Sequence, residues 1–215
     1  MPVARLVIAT NLNDSLSRAL STGIYQPRGV IATSSPSMDI QLASNFERLL
    51  FELGRRDARE VRKRMSSLRE SGSFHLGDRE LEAMRSLFAA HAVDERETEM
   101  TIRSLYEESG FLADPHTAVG VAASRREKVK GPMVVLSTAH PAKFPDAVMR
   151  ATGTVPEQPE RLKAKLARDE RVTVLPNDIA AVAAFISERA KKGAAAAMSG
   201  SRETARAKET SGVGA

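Results

Sequence analysis

The sequence predicts an α/β protein that contains much more helix than strand. Short apolar runs rich in branched side chains occupy residues 3–10 and 133–136, which is typical of strands buried in a parallel sheet. Between them, residues 39–112 place apolar side chains at intervals of three and four, the spacing of one helix face. We therefore expect a few parallel strands separated by a long helical region.

The first elements predicted are a strand, a short helix and a second extended run. The strand ends at Thr10, and Asp14 is a suitable N-cap for a helix that Gly23 ends. Residues 29–32 are again apolar, and the Thr-Ser-Ser-Pro-Ser stretch that follows them indicates a loop. This order is the start of an α/β pattern.

Four apolar stripes at helical spacing follow. The methionines within them are interpreted as core side chains, because methionine fills irregular gaps in a core. Gly54 and Gly110 are suitable C-terminal stops. The stripes consist of Ile40, Leu42, Phe46, Leu49, Leu50 and Leu53, then Val61, Met65 and Leu68, then Leu81, Met84, Leu87 and Phe88, and finally Thr98, Ile102, Leu105 and Tyr106.

The α/β pattern then returns. Asp114 followed by Pro115 is typical of a helix start, and this helix is expected to reach about residue 128. The apolar run MVVL predicts the next strand. The later expected elements are a helix at 145–151, a strand at 172–175 and a helix at 177–190.

The composition excludes several classes of protein. The 215 residues include no cysteine, which excludes disulfides, thiolate metal sites and thiol nucleophiles. No apolar run approaches the roughly 20 residues that span a bilayer, and the N-terminus lacks the pattern of a signal peptide. We expect a cytoplasmic protein without membrane contact.

The net charge of +5 raises a second hypothesis, a non-catalytic helical module that binds nucleic acid or another polyanion. Its binding surface would be the basic stretch from Arg55 to Arg64. Asp57 and Glu60 interrupt this stretch at spacings that allow ion pairs along a helix. Seven Phe and two Tyr also leave few rings for stacking on bases. A solvated helix face is therefore the preferred interpretation.

Polar side chains follow two of the predicted strands. Thr10 and Asn11 end the first, and Ser137, Thr138 and His140 come directly after the second. Because ligands of open α/β sheets bind at the carboxyl ends of strands, these residues are candidate ligand contacts. Hydroxyl groups that satisfy a loop or cap a helix are the alternative. The four histidines lack metal-ligand spacing, and the common nucleotide-binding and nucleophile-elbow motifs are absent.

Five blocks of the sequence are more specific than the elements around them: residues 9–14 (ATNLND), 35–40 (SPSMDI), 43–53 (ASNFERLLFEL), 114–119 (DPHTAV) and 137–145 (STAHPAKFP). Together these blocks resemble the threonine synthase family, and they occur in the family's order. The resemblance covers roughly residues 3–192 and only the C-terminal half of the family. It implies the tryptophan-synthase-like fold (fold type II) of pyridoxal-phosphate enzymes. It also implies a lyase that converts O-phospho-L-homoserine and water to L-threonine and phosphate, in threonine biosynthesis.

The resemblance also implies roles for individual residues. By position, Thr138 is the residue whose hydroxyl meets the pyridine nitrogen of pyridoxal phosphate, with Ser137 beside it on the cofactor-binding wall. Asn11, His140 and His116 are weaker candidates for the pocket. For His116, which follows a capping Asp-Pro pair, a role in the helix start is the alternative.

Two segments central to the family's chemistry do not occur in the sequence. One is the Phe-Lys-Asp-like segment with the Schiff-base lysine, and the other is the Gly-Asn-Phe-Gly loop that binds the cofactor phosphate. Lys143 occupies a different position and is expected to pack or form an ion pair. The chain alone is therefore expected to be inactive, as a truncated enzyme or as one half whose partner is the N-terminal half in a separate chain.

The expected organisation has four segments. Their roles are part of the cofactor domain at residues 1–39, a helical region at 40–112, the returning α/β part of the cofactor domain at 113–192, and a disordered tail at 193–215.

Overall fold

The computed structural model describes residues 3–191, so the predicted tail at 193–215 lies outside the described residues. The chain divides into two compact units, whose described parts are residues 3–162 and 163–191. The four segments expected from the sequence stay a prediction. The elements are β1 (Leu6–Thr10), α1 (Ser15–Thr22), β2 (Ile24–Tyr25), α2 (Phe46–Leu53), α3 (Ala58–Ser71), β3 (Phe74–His75), α4 (Asp78–Leu87), β4 (Phe88–Ala92), α5 (Glu95–Ser109), α6 (Pro115–Arg125), α7 (Pro145–Thr152) and α8 (Glu160–Leu166), with single 3-10 turns at Pro36–Met38 and Pro141–Lys143.

The first unit is built around a parallel pair of strands, β1 and β4. Their register places Leu6 opposite Phe88 and Thr10 opposite Ala92. Successive side chains of β1 face opposite sides of the pair, as the pleat of a strand requires. Ile8 packs against one apolar cluster, and Val7 packs against another. Both faces of this short sheet are therefore covered.

The position of β4 differs from the sequence-based expectation, which placed Leu87 and Phe88 in one helical stripe. Helix α4 ends at Leu87 and the strand begins at Phe88. The segment Phe-Ala-Ala-His-Ala has no strong strand preference of its own, because alanine favours helix. Its conformation is decided by hydrogen bonds to β1, a partner about 80 positions earlier in the chain.

Three apolar clusters hold the helices of the first unit on the strands. The largest cluster contains three aromatic rings. The ring centroid of Tyr25 lies 5.1 Å from that of Phe46 and 5.1 Å from that of Phe74. A second cluster joins Val93 to the apolar face of α6. The third joins α5, α6 and α7 through Ile102, Ala118 and Ala151. Helix α6 is thus the central helix of the region that follows β4.

The helix ends largely follow the local signals in the sequence. Asp114 accepts hydrogen bonds from the first amides of α6, as expected of an N-cap. Gly23 and Gly110 end α1 and α5 in the left-handed conformation. Asp14 precedes α1 but makes no capping bond, because its Oδ1 accepts from Arg18 Nε at 2.7 Å instead.

Two of the helix-ending glycines form a matched pair for a stability test. Gly23 and Gly72 both have φ near +77°, where a side chain is strained. A Cβ at Gly23 would lie 3.1 Å from Leu81 Cδ2, whereas a Cβ at Gly72 would meet no atom within 4 Å. We expect Gly72→Ala to lower the free energy of unfolding by about 1 kcal/mol and Gly23→Ala by about 2 kcal/mol. Urea unfolding measures both, and equal losses would contradict the packing contribution.

Three expected extended runs are not strands in the structure. Residues 29–32, 133–136 and 172–175 have no partner strand among the described residues. A strand needs a neighbouring backbone to exchange hydrogen bonds with, and apolar sequence alone does not supply one. The side chains of Val134 and Leu136 are accordingly 74% and 76% exposed.

The second unit is described only to residue 191. It is helical over 179–191, which confirms the last expected helix. Asp178 begins that helix by accepting a hydrogen bond from the amide of Ala181 at 2.7 Å. Among the helices of residues 3–191, none has the length and apolar content that crossing a membrane requires.

Candidate functional site

The carboxyl end of β1 carries a buried network of amide and carboxylate groups centred on Asn11. Its Nδ2 donates to Thr33 Oγ1 and to Asp39 Oδ1, both at 2.8 Å, and to Ser35 Oγ at 3.0 Å. Its Oδ1 accepts from the backbone amide of Asn13 at 2.9 Å. Asn11 is 1% exposed. Both ends of its amide are therefore fully occupied by protein partners.

This network holds the long connection between β2 and α2 in place. Asn13 Nδ2 donates to the carbonyl of Ile31 at 2.8 Å, and Asn13 Oδ1 accepts from the amide of the same residue at 2.9 Å. Asp39 Oδ2 accepts from the amide of Thr33 at 2.9 Å. The apolar run at 29–32 is thus fixed by side chains rather than by a neighbouring strand. Asn11 lies at the predicted strand end, where it positions this loop.

Two polar atoms at the same strand end lack a hydrogen-bond partner within residues 3–191. They are Thr10 Oγ1 and Glu95 Oε1, and both are buried. Glu95 Oε2 accepts from the amide of Ser34 at 3.0 Å, and the carbonyl of Thr10 accepts from the amide of Val93 at 2.9 Å. Buried groups without partners are rare in folded proteins. Thr10 Oγ1 and Glu95 Oε1 are therefore hydrogen-bonding groups at this edge that the described residues leave without a partner.

The N-terminus of α6 is organised by the buried carboxylate of Asp114. Its Oδ1 accepts from the amide of His116 at 2.9 Å and from the ring Nδ1 of His116 at 2.8 Å. Its Oδ2 accepts from the hydroxyl of Thr117. Asp114 is 1% exposed, so these bonds replace its solvation by water.

His116 is held between this carboxylate and the loop between β2 and α2, the same loop that the Asn11 network holds. The amide of Ser37 donates to its Nε2 at 3.2 Å, so the ring proton is on Nδ1, where it donates to Asp114. The Phe144 ring centroid lies 4.7 Å from that of His116. Both ring nitrogens of His116 therefore have protein partners. His116 joins α6 to the loop, which agrees with the alternative structural role.

Ser137 is linked to the same cluster through one hydroxyl. Its Oγ lies 3.3 Å from Thr117 Oγ1. Because Thr117 donates its hydroxyl proton to Asp114, Ser137 is the donor in this pair. Of the five predicted site residues, the structure thus connects Ser137, His116 and Asn11 by short chains of contacts.

Thr138 and His140 lie beyond that connected group. Thr138 is exposed, and within residues 3–191 its hydroxyl makes no hydrogen bond. His140 is exposed as well, and its Nδ1 accepts from the amide of Ala142 at 3.2 Å at the start of the 3-10 turn. Lys143 ends this turn, with Nζ 5.8 Å from the centroid of the Phe144 ring. Thr138 therefore lies on the surface, outside the connected group, and its role at a cofactor stays a prediction.

Sequence reasoning missed Thr117, and it treated Asp114 only as a cap. The capping signal of Asp114 was visible, but its bonds to the side chains of His116 and Thr117 were not. A threonine three residues after a capping aspartate was the available signal, because that spacing places its hydroxyl near the cap. Within residues 3–191, no group of three acidic or histidine side chains could hold a metal.

The basic stretch does not form a uniform cationic face. Arg55 and Arg56 lie in a turn with positive φ before α3. Arg56 pairs with Glu52, and Arg64 makes a two-pronged ion pair with the carboxylate of Glu80 at 2.8 and 2.6 Å. Two of its cations are thus neutralised within the protein, which agrees with the preferred interpretation over a polyanion-binding surface.

Comparison with known proteins decides the family. The family model described as threonine synthase, C-terminal, matches residues 117–186. The threonine synthase of Pseudomonas aeruginosa is 44% identical over 196 residues, which are 90% of this chain and 42% of that protein. The chain belongs to the threonine synthase family, to its C-terminal part. The resemblance seen in the sequence is confirmed.

Solved threonine synthase structures share the fold. The crystal structure of pyridoxal-phosphate-bound threonine synthase from Brucella melitensis has a TM-score of 0.80 and 49% identity, covering 86% of this chain and 40% of that chain. The yeast threonine synthase structure has a TM-score of 0.77 and 35% identity, covering 89% and 43%. The predicted helix-rich α/β fold is confirmed. The chain spans about two fifths of the length of the threonine synthases that it matches.

Proposed function

We propose that the chain forms the C-terminal part of a cytoplasmic, pyridoxal-phosphate-dependent threonine synthase. The reaction would convert O-phospho-L-homoserine and water to L-threonine and phosphate, which makes the enzyme a carbon–oxygen lyase. Family membership supports this proposal. One structural observation supports a role for Thr138 in the site. Thr138 presents a hydroxyl without a protein partner, whereas Ser137 beside it is tied to Thr117.

The residues present fit one wall of such a cofactor site. A pyridine nitrogen needs a single hydrogen-bond donor, and the unpartnered hydroxyl of Thr138 is a donor of this kind. The buried, unpartnered Thr10 Oγ1 and Glu95 Oε1 are further groups that a polar ligand would satisfy.

The cofactor, when bound, supplies an electron sink for the amino-acid substrate. Thr138 would donate a hydrogen bond to the ring nitrogen and so hold the ring in one orientation. A hydroxyl keeps its proton far more strongly than a carboxylic acid does, so it would leave that nitrogen largely unprotonated. The hydroxyl of Ser137 donates to Thr117 and so would not compete with Thr138 for the pyridine nitrogen.

The Schiff-base lysine is proposed to lie in the part of the family's length that this chain does not span. Lys143 is not proposed for the role, because its position in the sequence differs from that of the family's Schiff-base lysine. The chain alone is therefore expected to be inactive. Its partner would be the N-terminal part of the enzyme, either in the same polypeptide or as a separate chain.

The proposed function is tested with a fusion protein. It joins the N-terminal part of the Pseudomonas aeruginosa threonine synthase, which has no counterpart in this chain, to the chain itself. We expect the joined protein to release phosphate from O-phospho-L-homoserine, and the chain alone to release none. Thr138→Val should lower the rate about tenfold, because one hydrogen bond is worth about 1–1.5 kcal/mol.

The matched control is Thr173→Val, which removes an exposed hydroxyl outside the proposed site and should leave the rate unchanged. Phosphate release by the chain alone would refute the proposal that the Schiff-base lysine lies in the N-terminal part of the enzyme. A folded joined protein without activity would refute the proposed function itself.

A further inference from the structure

Residues 133–138 contact α6 without pairing to any described strand. Two side chains of this segment face the helix. Val135 is partly buried, whereas its neighbours Val134 and Leu136 are mostly exposed. Val135 therefore packs against the protein, whereas its two neighbours face solvent.

The first contact on α6 is at Gly120. A Cβ built at Gly120 would lie 3.0 Å from Val135 Cγ1, closer than ordinary van der Waals contact. The absence of a side chain at this position therefore lets Val135 approach the helix backbone. Glycine inside a helix costs about 1 kcal/mol relative to alanine, so a close approach is a physical reason for it here.

The second contact on α6 is at Thr117. Its Oγ1 lies 3.3 Å from Ser137 Oγ, and its own hydroxyl is fixed by Asp114. Thr117 and Gly120 are three residues apart and share one helix face. Val135 and Ser137 are two residues apart and share one face of the extended segment. Both contacts are present together, one at each of these two positions of α6.

We propose that Thr117 and Gly120 form a seat that sets the register of residues 133–138 and thereby orients Thr138. No strand pairing fixes this register within the described residues, so the two contacts do. A slip by one residue would place Val134 or Leu136 over Gly120 and turn every side chain to the opposite face. Thr138 would then point away from its present direction.

The consequence for the cofactor rests on the proposed function, but the seat itself does not. Thr117 and Gly120 are positioning residues, because they act through Ser137 and Val135. The seat is a property of the chain without any ligand. It can therefore be tested on the full chain in the absence of cofactor.

The absence of cysteine makes a distance measurement practical. Leu136→Cys and Met100→Cys place two nitroxide labels at exposed positions, one on the segment and one on α5, which packs on α6. Pulsed electron–electron resonance then reports the distance distribution between the labels in the full chain. We expect one narrow peak.

Gly120→Ala should broaden that peak, because the new methyl group would lie 3.0 Å from Val135 Cγ1 and push the segment off its contact. Adding Val135→Ala should restore the narrow peak by removing the obstructing methyl group. A role for Gly120 in helix structure alone makes the opposite prediction. Alanine favours helix, so the melting temperature would rise while the peak stayed unchanged, and this result would overturn the proposal.

A second pair of variants decides the question if Gly120→Ala fails to fold, as judged by circular dichroism. Thr117→Ser keeps the hydroxyl and Thr117→Val removes it. Loss of the narrow peak in the valine variant alone supports the seat, and an unchanged peak in both variants rejects it. These outcomes are independent of phosphate release, so failure of the seat and failure of the proposed function are distinguishable.

Discussion

Replacing Asn11 by alanine is expected to lower the free energy of unfolding by about 3 kcal/mol. The substitution removes donors to Thr33, Ser35 and Asp39 and an acceptor for the amide of Asn13. All of these partners are buried or partly buried, so water does not fully replace the lost bonds. A buried group left without a partner costs more than a hydrogen bond contributes when it is made.

Urea unfolding followed by circular dichroism measures this loss. Asn45→Ala is the matched control, because Asn45 is exposed and makes no capping bond although it precedes α2. The control should change the free energy of unfolding by about 0.5 kcal/mol or less. Similar losses in both variants would show that the Asn11 network does not stabilise the loop between β2 and α2.

Replacing Asp114 by asparagine is also expected to cost about 3 kcal/mol. The two side chains have nearly the same shape, so packing is preserved. The carboxylate of Asp114 only accepts hydrogen bonds, and all of its neighbours donate to it. The asparagine amide, however, replaces one acceptor oxygen with an NH₂ donor. Whichever way the amide turns, its NH₂ group faces protons of either His116 or Thr117.

The control is Asp94→Asn at the start of α5. Asp94 is an exposed N-cap that accepts one hydrogen bond, from the amide of Glu97 at 2.7 Å. Asparagine caps helices about as well as aspartate, so the expected loss is about 0.5 kcal/mol or less. A loss at Asp114 no larger than at Asp94 would mean that capping accounts for the whole effect of this carboxylate.

The elements that the sequence predicted well are those with local signals. The apolar run of β1, the Asp114-Pro115 start of α6 and the glycine stops after α1 and α5 all lie within a few residues of the structure they specify. Capping and chain reversal depend on neighbouring backbone groups. Such features are readable because their partners are adjacent in the sequence.

Strand pairing was the part that local signals could not specify. The Phe-Ala-Ala-His-Ala segment is a strand because it pairs with β1, and MVVL is not one because no described backbone lies alongside it. The apolar sequence of MVVL was the stronger strand signal of the two. A strand is completed by hydrogen bonds to a distant segment, and its own composition does not reveal whether that segment is present.

The candidate site shows the same division. Resemblance to the threonine synthase family singled out Ser137 and Thr138, and comparison with known proteins confirmed the family. The roles assigned to individual site residues stay a prediction. Thr117 was missed because its hydroxyl acquires its role only when the segment at Ser137 crosses α6.

By itself, the sequence determined the helix-rich α/β class, the positions of most helix ends, the absence of thiol chemistry and the family. Only the tertiary structure decided which buried polar groups become partners. Asn11 meets Asp39 across 28 positions, and His116 meets Ser37 across 79. The physical reason is that a buried donor must find an acceptor wherever the folded chain brings one, and sequence distance does not limit that choice.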